Sequence, residues 1–205
     1  MGVQERRARE KKELRQEILD AARDLFVHEG YENVSMRKIA DKIEYSPTTI
    51  YLYFQDKADL LDCICEETMS RLVRKQMVHE QTVPDPLERL RCGLRAYIDF
   101  GLKHPNHYKL TFMMLQPVAE NANGRSREMG KRAFNHLRTT LAMCVEQHLL
   151  EVADIETSAQ ALWAMIHGVT SLLITHMKFP WVDRERLIDT VIETAIAGMR
   201  ARVPA

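Results

Sequence analysis

"EYSPTTIYLYF", residues 44–54, decides how the chain is read. By propensity alone Thr48 to Phe54 is a strand, because β-branched and aromatic side chains suit a pleated surface. The residues just before it argue otherwise. Ser46 is a good helix N-cap, Pro47 has its φ preset for the first helical position, and Ile50 and Phe54, four apart, share one helical face. A short helix with two core-facing anchors fits the pattern. It leaves Thr48, Thr49, Tyr51, Leu52 and Tyr53 partly or wholly outward.

On either side, start and stop signals divide the chain into helices with short connections, and no segment sustains a period of two, so the spacing predicts an all-α fold. A first helix from about Glu10 to His28 puts Ile18, Ala21, Ala22, Leu25 and Phe26 on one face, with Gly30 past its end. Ser35 caps "MRKIADK", residues 36–42, and Asp56 caps a long helix with Asp59 at its third position. Asp85, Pro86 and Glu88 open the next helix, which must stop near His104 because Pro105 disfavours helical geometry in the residue before it. "NHYKLTFMML", residues 106–115, reads as a short apolar helix, and "QPVAENANGRS", residues 116–126, as irregular. A long helix carrying Phe134, Leu137, Leu141, Val145 and Leu149 follows. A capping box at Thr157 and Gln160 opens a helix apolar nearly all round from Ala161 to Ile174, which must be buried on more than one side. The last helix is expected from about Arg184 to Arg202.

The 205 residues, 45% hydrophobic and 28% charged, describe an ordinary globular chain, and 29 basic residues balance 29 acidic ones. Bulk charge therefore names no partner; only its placement can. Cys63, Cys65, Cys92 and Cys144 have no zinc-site spacing and read as reduced, packed thiols. No apolar run spans a bilayer, the opening residues show no signal peptide, and Arg6 stands where a myristoylation motif needs Ser or Thr. A cytoplasmic protein without membrane contact is expected.

The outward residues of the 46–54 helix suit a DNA groove: Thr hydroxyls and methyls can meet base edges, and Tyr hydroxyls can reach phosphates. Residues 36–42, the turn "IEY" and this helix make a helix-turn-helix pattern, whose second helix enters the major groove. Residues 1–15 add Arg6, Arg7, Arg9, Lys11, Lys12 and Arg15 against Glu5, Glu10 and Glu13, which fits either a solvated tail or phosphate contact.

"ILDAARDLFVHEGYENVSMRKIADKIEYSPTTIYLYFQDKADLL", residues 18–61, resembles without a gap the N-terminal domain of the tetracycline-repressor (TetR) family of transcriptional regulators. The resemblance implies that Arg37, Pro47, Thr48 and Thr49 approach bases, and that Ser35, Tyr51, Tyr53 and Lys57 approach phosphates. It implies a three-helix DNA-binding domain over residues 1–57 and a helical ligand-sensing and dimerisation domain over residues 58–205. One position departs from the family pattern, since Glu44 stands where a turn glycine is usual. A left-handed conformation there would store roughly 1 kcal/mol of strain.

"ALWAMIHGV", residues 161–169, and "HPNHYKLTFMM" resemble the family's WHG-type regulatory domain. Trp163 and His167, four apart, share a neighbourhood, and Gly168 permits close helix approach. They fit either a packed core or the wall of an apolar cavity shared with Tyr97, Phe100, Phe112, Met113 and Met143, whose adaptable methionines suit an apolar small-molecule effector. The family pairs its last two helices across a two-fold axis, implying a homodimer on a double-stranded operator with inverted half-sites. No cofactor is implied. An enzyme is not expected, for no phosphate-binding glycine loop, H-E-x-x-H or G-x-S-x-G occurs. "HPNH", residues 104–107, is simpler as loop and helix start than as a metal site. The alternative is a helical dimeric interaction protein that binds no DNA.

Overall fold

The computed structural model describes residues 2–113 and 124–199, and among these every regular element is helical. The helices are α1 (Val3–Glu29), α2 (Met36–Lys42), α3 (Pro47–Tyr51), α4 (Lys57–Thr82), α5 (Pro86–Lys103), α6 (Pro105–Tyr108), α7 (Arg125–Glu146), α8 (Ile155–Thr175) and α9 (Arg184–Ala197). A 3-10 turn spans Tyr31–Asn33 and a π turn Lys109–Met113. The stretch 116–123, expected to be irregular, and the last turn expected as far as Arg202 lie outside the described residues. The chain forms two compact units, residues 1–68 with 106–127 and residues 69–105 with 128–205.

The first unit is built on α1, whose Ile18, Ala22 and Phe26 are fully buried against Ile39 and Ala40 of α2, Ile50 of α3 and Leu60 of α4. α1 starts at Val3 rather than near Glu10. Its added turns are supported by ion pairs four residues apart, Arg6–Glu10 at 3.5 Å and Arg9–Glu13 at 3.6 Å. Residues 106–113 belong to this unit through buried contacts: Leu110 is fully enclosed in the same core. Buried His107 meets Arg23 Nη1 of α1 through Nε2 at 2.9 Å and Thr68 Oγ1 of α4 through Nδ1 at 3.0 Å. The start of α7 is held similarly. Ser126 Oγ donates to buried Asp62 at 2.6 Å, and Arg125 bridges Asp59 at 2.7 Å and Asp62 at 3.4 Å.

In the second unit α5 packs chiefly on α8, and α9 closes against both. Leu90, Leu94 and Ile98 of α5 meet a core supplied by Leu162 and Ile166 of α8 and by Ile188, Ile192 and Ile196 of α9. Arg91 and Arg95 align α9 by reaching Glu193, Glu185 and Asp189. α8 begins one turn before the expected capping box: Asp154 is the cap, accepting the Thr157 N–H at 2.6 Å, while Gln160 bonds Glu156. The acid one turn earlier accepts from Thr157's own N–H, an orphan donor of the first turn, so Thr157 is capped rather than capping. α8 is also less enclosed than its composition suggests, since Met165 and Leu172 are 47% and 44% exposed. Gly168 is not needed for packing inside this chain, for an added Cβ would meet nothing within 4 Å.

The α2–α3 turn is a left-handed helix ending with glutamate in the usual glycine position. Glu44 has φ +60°, its N–H bonds the Asp41 carbonyl, and the Tyr45 N–H reaches back to Ala40 at 3.0 Å. Those two bonds define the Schellman motif. α7 ends the same way at His148, φ +56°, with Leu149 N–H on Cys144. Replacing Glu44 by glycine removes the Cβ penalty, so Glu44→Gly is expected to stabilise the fold by about 1 kcal/mol, read as a rise in melting temperature of about 2–4 °C. A fall would mean that the Glu44 side chain makes a stabilising contact larger than that strain.

Candidate functional site

α3 has only five residues, too few to persist alone, and owes its shape to its ends and anchors. Ser46 Oγ accepts the Thr49 N–H at 3.2 Å and lies 2.9 Å from the Thr49 hydroxyl. Ile50 is fully buried and Phe54 nearly so. With that face committed, the opposite one presents Thr48, Tyr51 and Leu52, three and four residues apart, to solvent. Tyr51 is 55% and Leu52 75% exposed, a large apolar surface for an isolated domain. Leu52 is absent from the residues that the family resemblance marks; its outward position on the wheel is the signal that finds it.

Around this face, Ser35 is exposed and caps α2 by accepting the Lys38 N–H at 3.2 Å. Arg37 is exposed, and among the described residues no ion pair engages it. Its neighbours are engaged: Lys38 meets Glu29, and Lys42 lies 3.7 Å from Asp24. Arg37 is thus the α2 cation that no carboxylate among the described residues neutralises. Pro47, Thr49 and Tyr53 are half-buried beside the anchors. Lys57 departs from the picture of a side chain pointing straight at a phosphate. Its Nζ donates to the Tyr31 carbonyl at 2.7 Å and sits 4.2 Å over the Tyr31 ring. One of its three N–H groups is used inside the domain, and the ammonium is fixed at the first turn of α4. Burial, then the nearby Asp56 and Glu32, pushes the Tyr31 phenol up, so it stays protonated at neutral pH.

In the second unit, three residues named from the sequence converge. The Trp163 indole N–H donates to the Tyr97 hydroxyl at 3.2 Å, and that hydroxyl lies 3.2 Å from His167 Nδ1. The Tyr97 hydroxyl thus joins the indole and the imidazole, accepting from Trp163 and sharing one hydrogen with His167 Nδ1. Burial pushes the His167 pKa down, so the ring is neutral at neutral pH. Phe134 of α7 meets Trp163 edge-on, with ring centroids 6.2 Å apart. The sequence shows its apolar face but not its partner. Phe100 stacks beside His104, and Met143 Sδ receives a weak hydrogen bond from Arg89 at 3.7 Å. Phe112 and Met113 fall in the first unit, where Phe112 packs on Tyr108 at 4.9 Å. The buried Leu110 and His107 draw that segment there. Trp163 is 41% exposed, so the cluster is reachable from solvent. Neutral donors and acceptors around an aromatic wall can orient an apolar molecule.

No helix among the described residues is long and apolar enough to cross a membrane. Residues 18–64 match the model of bacterial regulatory proteins of the tetR family, and residues 90–196 match the tetracyclin repressor-like C-terminal domain. The chain is 27% identical to the HTH-type transcriptional regulator AcrR of Shigella flexneri, over 83% of this chain and 80% of that one. It is 24% identical to the fatty acid metabolism regulator protein of Bacillus subtilis, over 89% and 94%. The fold is shared with FadR from Bacillus subtilis, solved in complex with stearoyl-CoA, at a TM-score of 0.77, 20% identity and coverage of 90% and 99%. With a helix-turn-helix whose second helix is oriented by buried anchors, and with both family models matched, the chain belongs to the TetR family and is a DNA-binding transcriptional regulator.

Proposed function

We propose that the protein is a repressor that a long-chain acyl-CoA, or an apolar molecule like it, releases from its operator. Residues 1–57 are the reading head and residues 58–205 the sensing and dimerising part, and the protein works in the cytoplasm by binding rather than catalysis. The observation that carries the DNA side is the outward Thr48–Tyr51–Leu52 face beside an unengaged Arg37. In this reading Arg37, Thr48 and Thr49 address base edges from the major groove, with Pro47 setting the approach. Ser35, Tyr51, Tyr53 and Lys57 hold phosphates, Lys57 from the first turn of α4.

The effector reading draws on the relative that regulates fatty acid metabolism and on the stearoyl-CoA complex of a protein of the same fold. The Tyr97–Trp163–His167 cluster, with Phe134, supports an apolar wall carrying a few oriented polar atoms. The dimer reading draws on the open face of α8. Met165, Gly168 and Leu172 are spaced by three and four residues, and the room over Gly168 suits a close approach by the same helix of a second copy. A two-fold dimer then addresses inverted half-sites about 34–36 Å apart or a multiple of that.

Alanine at Arg37, Thr48, Tyr51 and Lys57 together is expected to abolish binding to fragments selected from the source genome while sedimentation still shows a dimer. Retained binding would refute the site. Glutamate at both Met165 and Leu172 is expected to give monomers at micromolar concentration and weaken binding to two-half-site DNA; an unchanged dimer would place the interface elsewhere. In a Trp181→Phe background, stearoyl-CoA is expected to change Trp163 emission and to lower operator affinity about 5- to 150-fold. An unchanged emission and affinity across acyl-CoAs of several lengths would end the acyl-CoA reading and leave the DNA reading intact.

A further inference from the structure

The first turns of α1 take no part in the packing of the chain. Residues 2–13 are exposed, and Leu14 is where the helix meets the core. Charge is nevertheless sorted around this projection. Arg6 pairs with Glu10 and Arg9 with Glu13 along one face. Arg7 and Lys11, also four apart, lie on the other face with Lys12 beside them, and among the described residues none of the three has an ion pair. Placing Lys11 where an acid could have paired with Arg7 is locally unfavourable by a few tenths of a kcal/mol. A local choice that works against the isolated helix points to an anionic partner.

The stripe also has a location. Arg15, one turn further on the same face, is paired with Glu67 at 3.6 Å and marks where the stripe meets the domain: its guanidinium lies 5.1 Å over the ring of Phe54, the anchor just after α3. The cationic face therefore begins at the reading head and runs outward from it. From Arg15 to Val3 the helix rises about 18 Å at 1.5 Å per residue, roughly five base-pair steps along the duplex axis at 3.4 Å each.

We propose that Arg7, Lys11 and Lys12 bind the phosphodiester backbone of duplex DNA flanking the base pairs that α3 reads. The proposal rests on the DNA-binding function of the reading head and extends it beyond the helix-turn-helix. Phosphate binding of this kind adds affinity and salt dependence without sequence preference, because neutralised phosphates release their counterions. Paired Arg6 and Arg9 contribute little, since each would first have to leave its glutamate.

The test compares the full chain with an Arg7→Gln, Lys11→Gln, Lys12→Gln variant on two operator duplexes, one ending at the outermost half-site base pair and one extended on both sides. On the extended duplex the slope of log K against log salt is expected to fall by about 0.9 for each phosphate no longer neutralised, about 5 for a dimer with two arms. Base preference in competition should not change. On the short duplex the two proteins are expected to bind alike. An Arg6→Gln, Glu10→Gln variant, with the same net charge as the parent, should keep the parental slope. Equal slopes on the extended duplex, or a parent protein indifferent to the flanks, would overturn the arm while leaving the reading head in place. Failure of the parent to bind either duplex would overturn both.

Discussion

The orientation of α3 depends on two side chains that are hidden from solvent. Ile50 and Phe54 are buried against α1, α2 and α4, and burying residues of this size stabilises by roughly 1.5–3 kcal/mol each. A helix of five residues has no other means of persisting. Once the anchors fix its rotation, Thr48, Tyr51 and Leu52 can only face outward. Truncating Phe54 would therefore cost stability and release the orientation of α3 together, whereas Thr48, exposed on the opposite face, can change without disturbing the core. The Ser46 cap and Pro47 determine where the helix starts, and the anchors determine how it is turned.

The turn before α3 adds a second constraint, of conformation rather than burial. Glu44 occupies a left-handed geometry that an L residue adopts only at a cost, and the Tyr45 N–H on the Ala40 carbonyl holds it there. The same device recurs at His148, where α7 ends. Non-glycine residues at both positions show that a Schellman ending is set by its backbone bonds and by the packing of the next segment of chain. Glycine lowers the cost of that geometry without being required for it.

Local devices are legible in the sequence, and long-range partners are not. Ser35, Ser46, Asp56, Asp85 and Asp183 cap helices by bonding an amide three residues on, a signal contained in a few adjacent letters. The α3 anchors follow from spacing, and Glu44 stands out as a departure from pattern, although its φ is not written in the letters. By contrast, the inward turn of Lys57 depends on the Tyr31 carbonyl 26 residues away. Phe134 against Trp163 and Ser126 against Asp62 are likewise encounters between distant helices. The start of α8 is ambiguous in the sequence because Asp154 and Thr157 are both good caps, and only the fold decides which of them is used. α1 is longer than its pattern suggests because exposed helix carries no apolar stripe to mark it.

Residues 106–113 share the apolar character of the second unit, and their packing in the first shows why composition cannot assign them. His107 accepts from Arg23, which is itself held by Asp20 at 2.7 Å, so the imidazole presents Nε2 as acceptor and its Nδ1–H to Thr68. Thr68 in turn donates to the Ile64 carbonyl at 2.9 Å. Each group in this series is buried or half-buried and has its partner, so displacing His107 would remove one bond from Arg23 on α1 and one from Thr68 on α4 together. Leu110 adds a fully enclosed side chain from the same segment. The segment is therefore part of what holds α1 and α4 in register, and α1 is the helix against which α3 is anchored. Any event that moves residues 106–113 acts on α1 and α4, and so on the core that anchors α3, through these bonds and this buried surface.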